Sequence, residues 1–253
     1  MKRGFTLIDA LVAGAIIALL LAILLPSLVG ARAEGKRAVC LSNLKQIGLA
    51  TAMYLDANRE YFWRYYVDAG DGRHWWFGFE PGGPPANPFN KRHRPLDKSK
   101  GALARYLRST EDGLQCPAFP YNSGGYFPKF AARSASYGFN LRLGPANPGL
   151  RTRRRTDFSR RISAVFVFAD GVHFDFNPGM NEGHYIAYVH DPAAPFAMGG
   201  FGHFRHRGRA QVVYIDGHGE GQPLRGPAYA GHCCGGPAGN LSSPSAGSAI
   251  YGD

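Results

Sequence analysis

His206, Asp216 and His218 come closest to a ligand set in this chain of 253 residues. Strands are expected over 202–206 and 211–216, joined through Arg207-Gly208-Arg209 as a hairpin. That pairing brings His206 and Asp216 together at its open end, with His218 just beyond. One carboxylate between two imidazoles could hold a transition metal, and Asp216 with backbone carbonyls could hold calcium. The commoner fate of such groups is a local hydrogen bond, here between His206 and Asp216, that locks the turn. The expectation is therefore no cofactor, with a structural divalent cation as the alternative. No His/Cys spacing has the regularity of a zinc site, and no nucleophile motif, phosphate loop or pair of catalytic carboxylates stands out, which points away from an enzyme.

Two further groups could bind rather than react. Arg151, Arg153, Arg154, Arg155, Arg160 and Arg161 crowd the stretch RTRRRTDFSRR, a run that could take up phosphates or acidic glycans, although a solvated loop is the more common outcome. The segment 63–95 carries Trp63, Tyr65, Tyr66, Trp75, Trp76, Phe77 and Phe79 among many Gly and Pro residues and reads as a long structured loop. Its aromatics either stack on sugars or bases or, the preferred reading, cover a small β core.

The element that must position all of these is the N-terminal stretch. After Lys2, Arg3 and Gly4 the chain runs apolar from Phe5 to Leu25, with Thr6 and Asp9 as its clearly polar members. That is close to the roughly 20 helical residues that cross a bilayer core. No small-residue cleavage site of the secretory kind follows a short apolar core, so the stretch is expected to stay as a membrane helix over 5–25. Asp9 is a carboxylate where lipid should surround it, a costly placement that marks either function or reach to the interface. Pro26 lacks an amide hydrogen and is expected to kink or locally melt the helix. Beyond it the helical pattern continues to about residue 58, roughly 80 Å in all at the standard rise. Cys40, Leu44, Ile47, Tyr54 and Leu55 share one face, which should carry the globular domain. Leu49 and Met53 lie on the opposite side, available to other helices.

Later elements are a short helix over 96–108 and strands over 134–143, 162–169 and 185–189, besides the hairpin. VFVFADG at 165–171 and VVYIDG at 212–217 both end in Asp-Gly, which reads as two strands leaving one sheet through similar turns. The tail 226–253, rich in Gly, Ala, Ser and Pro, reads as loosely ordered. With 34 Gly and 18 Pro the body is all-β or α+β rather than a helical bundle, and one domain behind the membrane helix is the simplest division. A net charge of +11, from 29 Lys and Arg against 18 Asp and Glu, favours anionic partners such as lipid headgroups, acidic polysaccharide or nucleic acid.

Gly4-Phe5-Thr6-Leu7-Ile8-Asp9 behind a short basic leader resembles the type IV pilin and type II secretion pseudopilin class, in which the last position is usually Glu. Pro26 also sits where such pilins often have a proline. Four further places resemble one narrower bacterial group, the prepilin-type processing-associated family named for His, nine residues, Asp-Gly. These are Cys40 to Gly48 (CLSNLKQIG), Cys116-Pro117, Ser136 to Asn140 (SYGFN), and His206 with Asp216-Gly217.

The resemblance implies a fold and a life history. The fold is α+β and pilin-like, a long N-terminal helix packed on an antiparallel sheet with Gly/Pro-rich loops. The chain divides into a leader at 1–4, the helix at 5–60, the globular domain at 61–225 and the tail at 226–253. A prepilin peptidase would cut after Gly4 and methylate the new terminus at Phe5, and Asp9 would pair with the terminus of a neighbouring subunit. The protein would be held by a single span in the bacterial inner membrane, its C-terminal domain extracytoplasmic, before joining other pilin-like subunits in a periplasmic or cell-surface filament. The alternative is a membrane-tethered module that binds anionic polysaccharide or DNA. On that side of the membrane disulfides persist. Four cysteines allow three connectivities: Cys40 with Cys116 would tie helix to domain, leaving adjacent Cys233 and Cys234 as a strained vicinal bridge or as free thiols.

Overall fold

A computed structural model describes residues 7–82, 93–123, 125–145, 147–174, 180–186, 199–223, 228–229 and 238–239. The fold is built on one helix, α1, Leu7–Ala57, whose 51 residues extend about 77 Å at 1.5 Å per residue. Its two halves meet different surroundings. Fourteen Leu, Ile and Val side chains between Leu7 and Val29 are 48–80% exposed. In the second half Cys40, Leu44, Ile47, Ala50, Thr51 and Leu55 are buried, a spacing of mostly three and four residues that makes one stripe. Leu49 and Met53 on the other side are exposed. Pro26 lies inside helix that continues without interruption, so the expected local melting does not occur. A hydroxyl one residue on, Ser27 Oγ, donates to the Leu24 carbonyl at 2.8 Å.

Beyond α1 the aromatic segment is a three-stranded antiparallel meander, not a loop: β1 (Tyr66–Ala69), β2 (Gly72–Trp75) and β3 (Gly78–Pro81). Trp63, Tyr65, Trp75, Trp76, Phe77 and Phe79 are buried, so these rings are core and not a stacking platform. Trp76 Nε1 donates to the His184 carbonyl at 2.7 Å, and Trp63 stacks on Phe168, which joins the meander to the main sheet. The helix expected over 96–108 reduces to two single 3-10 turns, Lys98–Lys100 and Ala104–Tyr106.

The main sheet is centred on β5 (Phe166–Phe174), with β4 (Tyr137–Asn140) before it. After it come β6 (Met180–Glu182), β7 (Tyr185–Ile186), β8 (Gly199–His203), β9 (Arg209–Tyr214), β10 (Gly219–Pro223), β11 (Ala228–Tyr229) and β12 (Ala238–Gly239). Pairing is antiparallel except between β4 and β7. The first half of β5 pairs with β9 and β4, the second half with β8 and β6. Two expectations fail here. The strands β8 and β9 do not form a hairpin: β5 lies between them in the strand order, and Arg207-Gly208 closes only the His206–Arg209 pair. Asp170-Gly171 is not a turn but the middle of β5. In the tail, β11 and β12 add to β8, and the rest of 226–253 lies outside the described residues.

α1 docks on β9 through its buried stripe. The approach is closest at Gly48, where a Cβ would stand 2.8 Å from Val213 Cγ2.

Candidate functional site

The registers Gly171↔Gly202 and Ala169↔Val212 leave residues 203–211 level with Asp170, and that loop brings Arg205 and His206 onto it. Arg207 and Gly208 have φ of 52° and 75°, a two-residue turn that reverses the chain and sends His206 inward. From the other side α1 supplies Cys40, and the segment before β4 supplies Cys116. Cys40, Cys116 and Asp170 are 0% exposed and His206 is 4% exposed. One donor atom from each of the four lies within 4.8 Å of the others.

The contacts are specific. Cys116 Sγ is 3.3 Å from His206 Nε2, Cys40 Sγ is 3.2 Å from Asp170 Oδ1, and His206 Nε2 is 3.4 Å from Asp170 Oδ2. Arg205, fully buried, donates from Nη2 (2.7 Å) and Nε (3.2 Å) to Asp170 Oδ1. It also donates to the carbonyls of Ser136 at 2.7 Å and Gly171 at 3.2 Å. The Gln211 amide donates to Asp170 Oδ2 at 2.7 Å, and the Cys116 amide to Ser136 Oγ at 2.6 Å. Tyr137 Oη reaches the Cys40 carbonyl at 3.4 Å. A buried carboxylate and guanidinium are thus paired and hydrogen-bonded on several sides, as burial of charge requires.

Electrostatics separates the two thiols. Burial pushes the Cys40 thiol well above its ordinary value, and its hydrogen bond with Cys116 and the Asp170 charge push it the same way. Burial also raises Cys116, but the hydrogen bond from Cys40, the Arg205 guanidinium and His206 outweigh it and bring this thiol to about 6. Of the two, Cys116 is the thiol that gives up its proton more readily. Burial of all four groups suits holding a proton or an ion better than admitting a substrate.

The other expected site residues lie elsewhere. His218 Nδ1 is 2.6 Å from Asp216 Oδ1 in the turn between β9 and β10, where Gly217 takes φ 86°. His206 sits at the opposite end of β9, about 20 Å away at strand rise, so His206 does not meet Asp216 or His218. Cys40 and Cys116 are brought together, but as free thiols without a disulfide. Cys233 and Cys234, like Gly4 and Phe5, lie outside the described residues. Asp9 is exposed on the first turn of α1. In the arginine run, Arg155 is held by Asp56 at 2.7 Å and by Glu60, pinning the end of α1. Arg151 faces Asp157 at 3.8 Å, Arg154 lies over the Tyr61 ring, and Arg153 is half-buried with its amide on the Leu143 carbonyl. Arg160 and Arg161 are exposed.

Sequence reasoning missed Asp170 and Arg205. The available signal was an acid in the otherwise apolar VFVFADG, which is anomalous in a buried strand unless it has a partner. All four segments that carry the family resemblance contribute to this one cluster: Cys40, Cys116, Ser136-Tyr137 and His206. Comparison with protein-family models, curated proteins and solved structures finds no match.

Proposed function

We propose that the chain is a structural, pilin-like subunit, processed after Gly4, methylated at Phe5 and assembled through α1 into a type II secretion-like or type IV pilus-like filament. The observation that supports this is the division of α1 into an exposed apolar half and a docked half. Burying a large aliphatic side chain is worth about 1.5–3 kcal/mol. Fourteen of them, about half or more exposed, leave on the order of tens of kcal/mol of burial to be gained against lipid or other helices. That surface needs a cover. Lipid supplies one before assembly, with the domain held outside the cytoplasm at the inner membrane, and neighbouring α1 helices supply another in the filament. Asp9 is the charge in this apolar stretch, and pairing with a neighbour's free amino terminus neutralises both groups.

The test is mass spectrometry of the amino-terminal peptide from native cell envelope, comparing wild type with Gly4→Ala. A mature terminus at methylated Phe5, lost in the variant, is the expected result. An intact Met1, or a cut well downstream of Leu25, refutes the reading.

A further inference from the structure

We infer that Cys40, Cys116, His206 and Asp170 form a closed four-ligand site for a divalent zinc-like ion, which staples α1, the Cys116 segment, β5 and the β8–β9 loop together. Zinc takes two thiolates, an imidazole nitrogen and a carboxylate oxygen at about 2.0–2.3 Å in a tetrahedron, whose edges are then about 3.3–3.8 Å. Cys116 Sγ and His206 Nε2 stand 3.3 Å apart, an edge of that size, and the two Asp170 oxygens flank the set, Oδ1 3.2 Å from Cys40 Sγ and Oδ2 3.4 Å from His206 Nε2. With one ligand atom from each of the four residues within 4.8 Å of the others, an ion needs only side-chain adjustment to be held. The ligand chemistry, two sulfurs and a nitrogen with one hard oxygen, suits zinc better than calcium or magnesium.

Charge makes the same choice. With two thiolates, Asp170 and Arg205 the cluster carries a charge of minus two, which a divalent cation neutralises. With the ion bound the buried site is therefore neutral, the condition under which it can be filled in a low-dielectric interior. Arg205 does not compete as a ligand. It fixes the Asp170 carboxylate from one side, as outer-shell partners do around metals, while the Gln211 amide fixes it from the other. A disulfide would consume the same thiols, but both are free, and besides their mutual hydrogen bond Cys40 reaches Asp170 and Cys116 reaches His206.

The site is independent of filament assembly and can be tested apart from it. Full-length protein, purified in detergent under reducing and non-reducing conditions, is analysed for metal and thiol content and then titrated with Co2+. The expected result is one zinc per chain as isolated, with Co2+ giving thiolate-to-metal charge-transfer absorption and zinc shielding both thiols from alkylation. His206→Gln should weaken Co2+ binding by more than about tenfold, the loss that removing even an outer-shell partner can cause. Asp216→Asn with His218→Gln, the exposed pair, should leave it unchanged. If the ligand variants fail to fold, the wild-type measurements decide alone. A Cys40–Cys116 disulfide in protein from native envelope, wild-type protein that takes up no Co2+ through sulfur, or uptake that follows His218 and not His206 would each overturn the proposal.

Discussion

Gly48→Ala isolates the docking of α1 on β9. In an isolated helix the change would stabilise by about 1 kcal/mol, the propensity difference between the two residues. Here the added Cβ would stand 2.8 Å from Val213 Cγ2, against an ordinary carbon contact of about 3.5–4.0 Å, so one side must yield by roughly 1 Å. Val213 cannot easily do so: it is 0% exposed, β-branched, and flanked in the sheet by Phe168 and Gly219. Overpacking of this kind costs about 1–3 kcal/mol, which outweighs the propensity gain and leaves a net loss near 1 kcal/mol. Val213→Ala should cost about 2 kcal/mol alone, and distinctly less in the Gly48→Ala background because the new methyl fills part of the space. The assay is urea unfolding of the full chain in non-ionic detergent, followed by the fluorescence of Trp63, Trp75 and Trp76, all in the globular core. A Gly48→Ala protein more stable than wild type, or a Val213→Ala cost equal in both backgrounds, would refute the close approach.

The same assay checks two other claims. Asp170→Ala strands a buried Arg205 and should cost about 3–5 kcal/mol. Glu34→Ala removes its contacts with Arg37 and Arg207, all at least 42% exposed, and should cost at most about 1 kcal/mol; similar losses in the two would contradict the burial argument. Burial holds His184 well below its ordinary value, with Lys129, His173 and Arg94 adding to the effect. The unfolded chain then binds a proton below about pH 6.5 that the folded chain refuses, so stability should fall as pH drops below 6.5, by roughly 1 kcal/mol per pH unit. Burial raises Glu182 and works in the opposite sense, so the reading is the difference between wild type and His184→Gln. Identical pH slopes in the two proteins would exclude His184 as the cause.

How far each feature was legible depends on how local its cause is. The apolar run and the stripe Cys40, Leu44, Ile47 and Leu55 are written within a few turns of one helix, and both appear as expected. So does the burial of the 63–79 aromatics, since large rings in a small body have few other places to go. Strand positions were readable to a few residues, but β5 runs on through Asp170-Gly171, where a local turn signal is overridden by pairing on both sides. At Pro26 helix continues on both sides, so of the kink or local melting that its missing amide led one to expect, the melting does not occur.

Composition and periodicity are properties of short windows, and they suffice to specify an apolar N-terminal rod and a β-rich body. Only the tertiary structure decided which residues meet. Cys40 and Asp170 are 130 positions apart and Cys116 and His206 are 90 apart, separations across which no local pattern carries pairing information. Placing β5 between β8 and β9 takes His206 away from Asp216 and gives it Asp170 instead, and strand order of that kind is set by which apolar faces bury together rather than by any neighbouring residue.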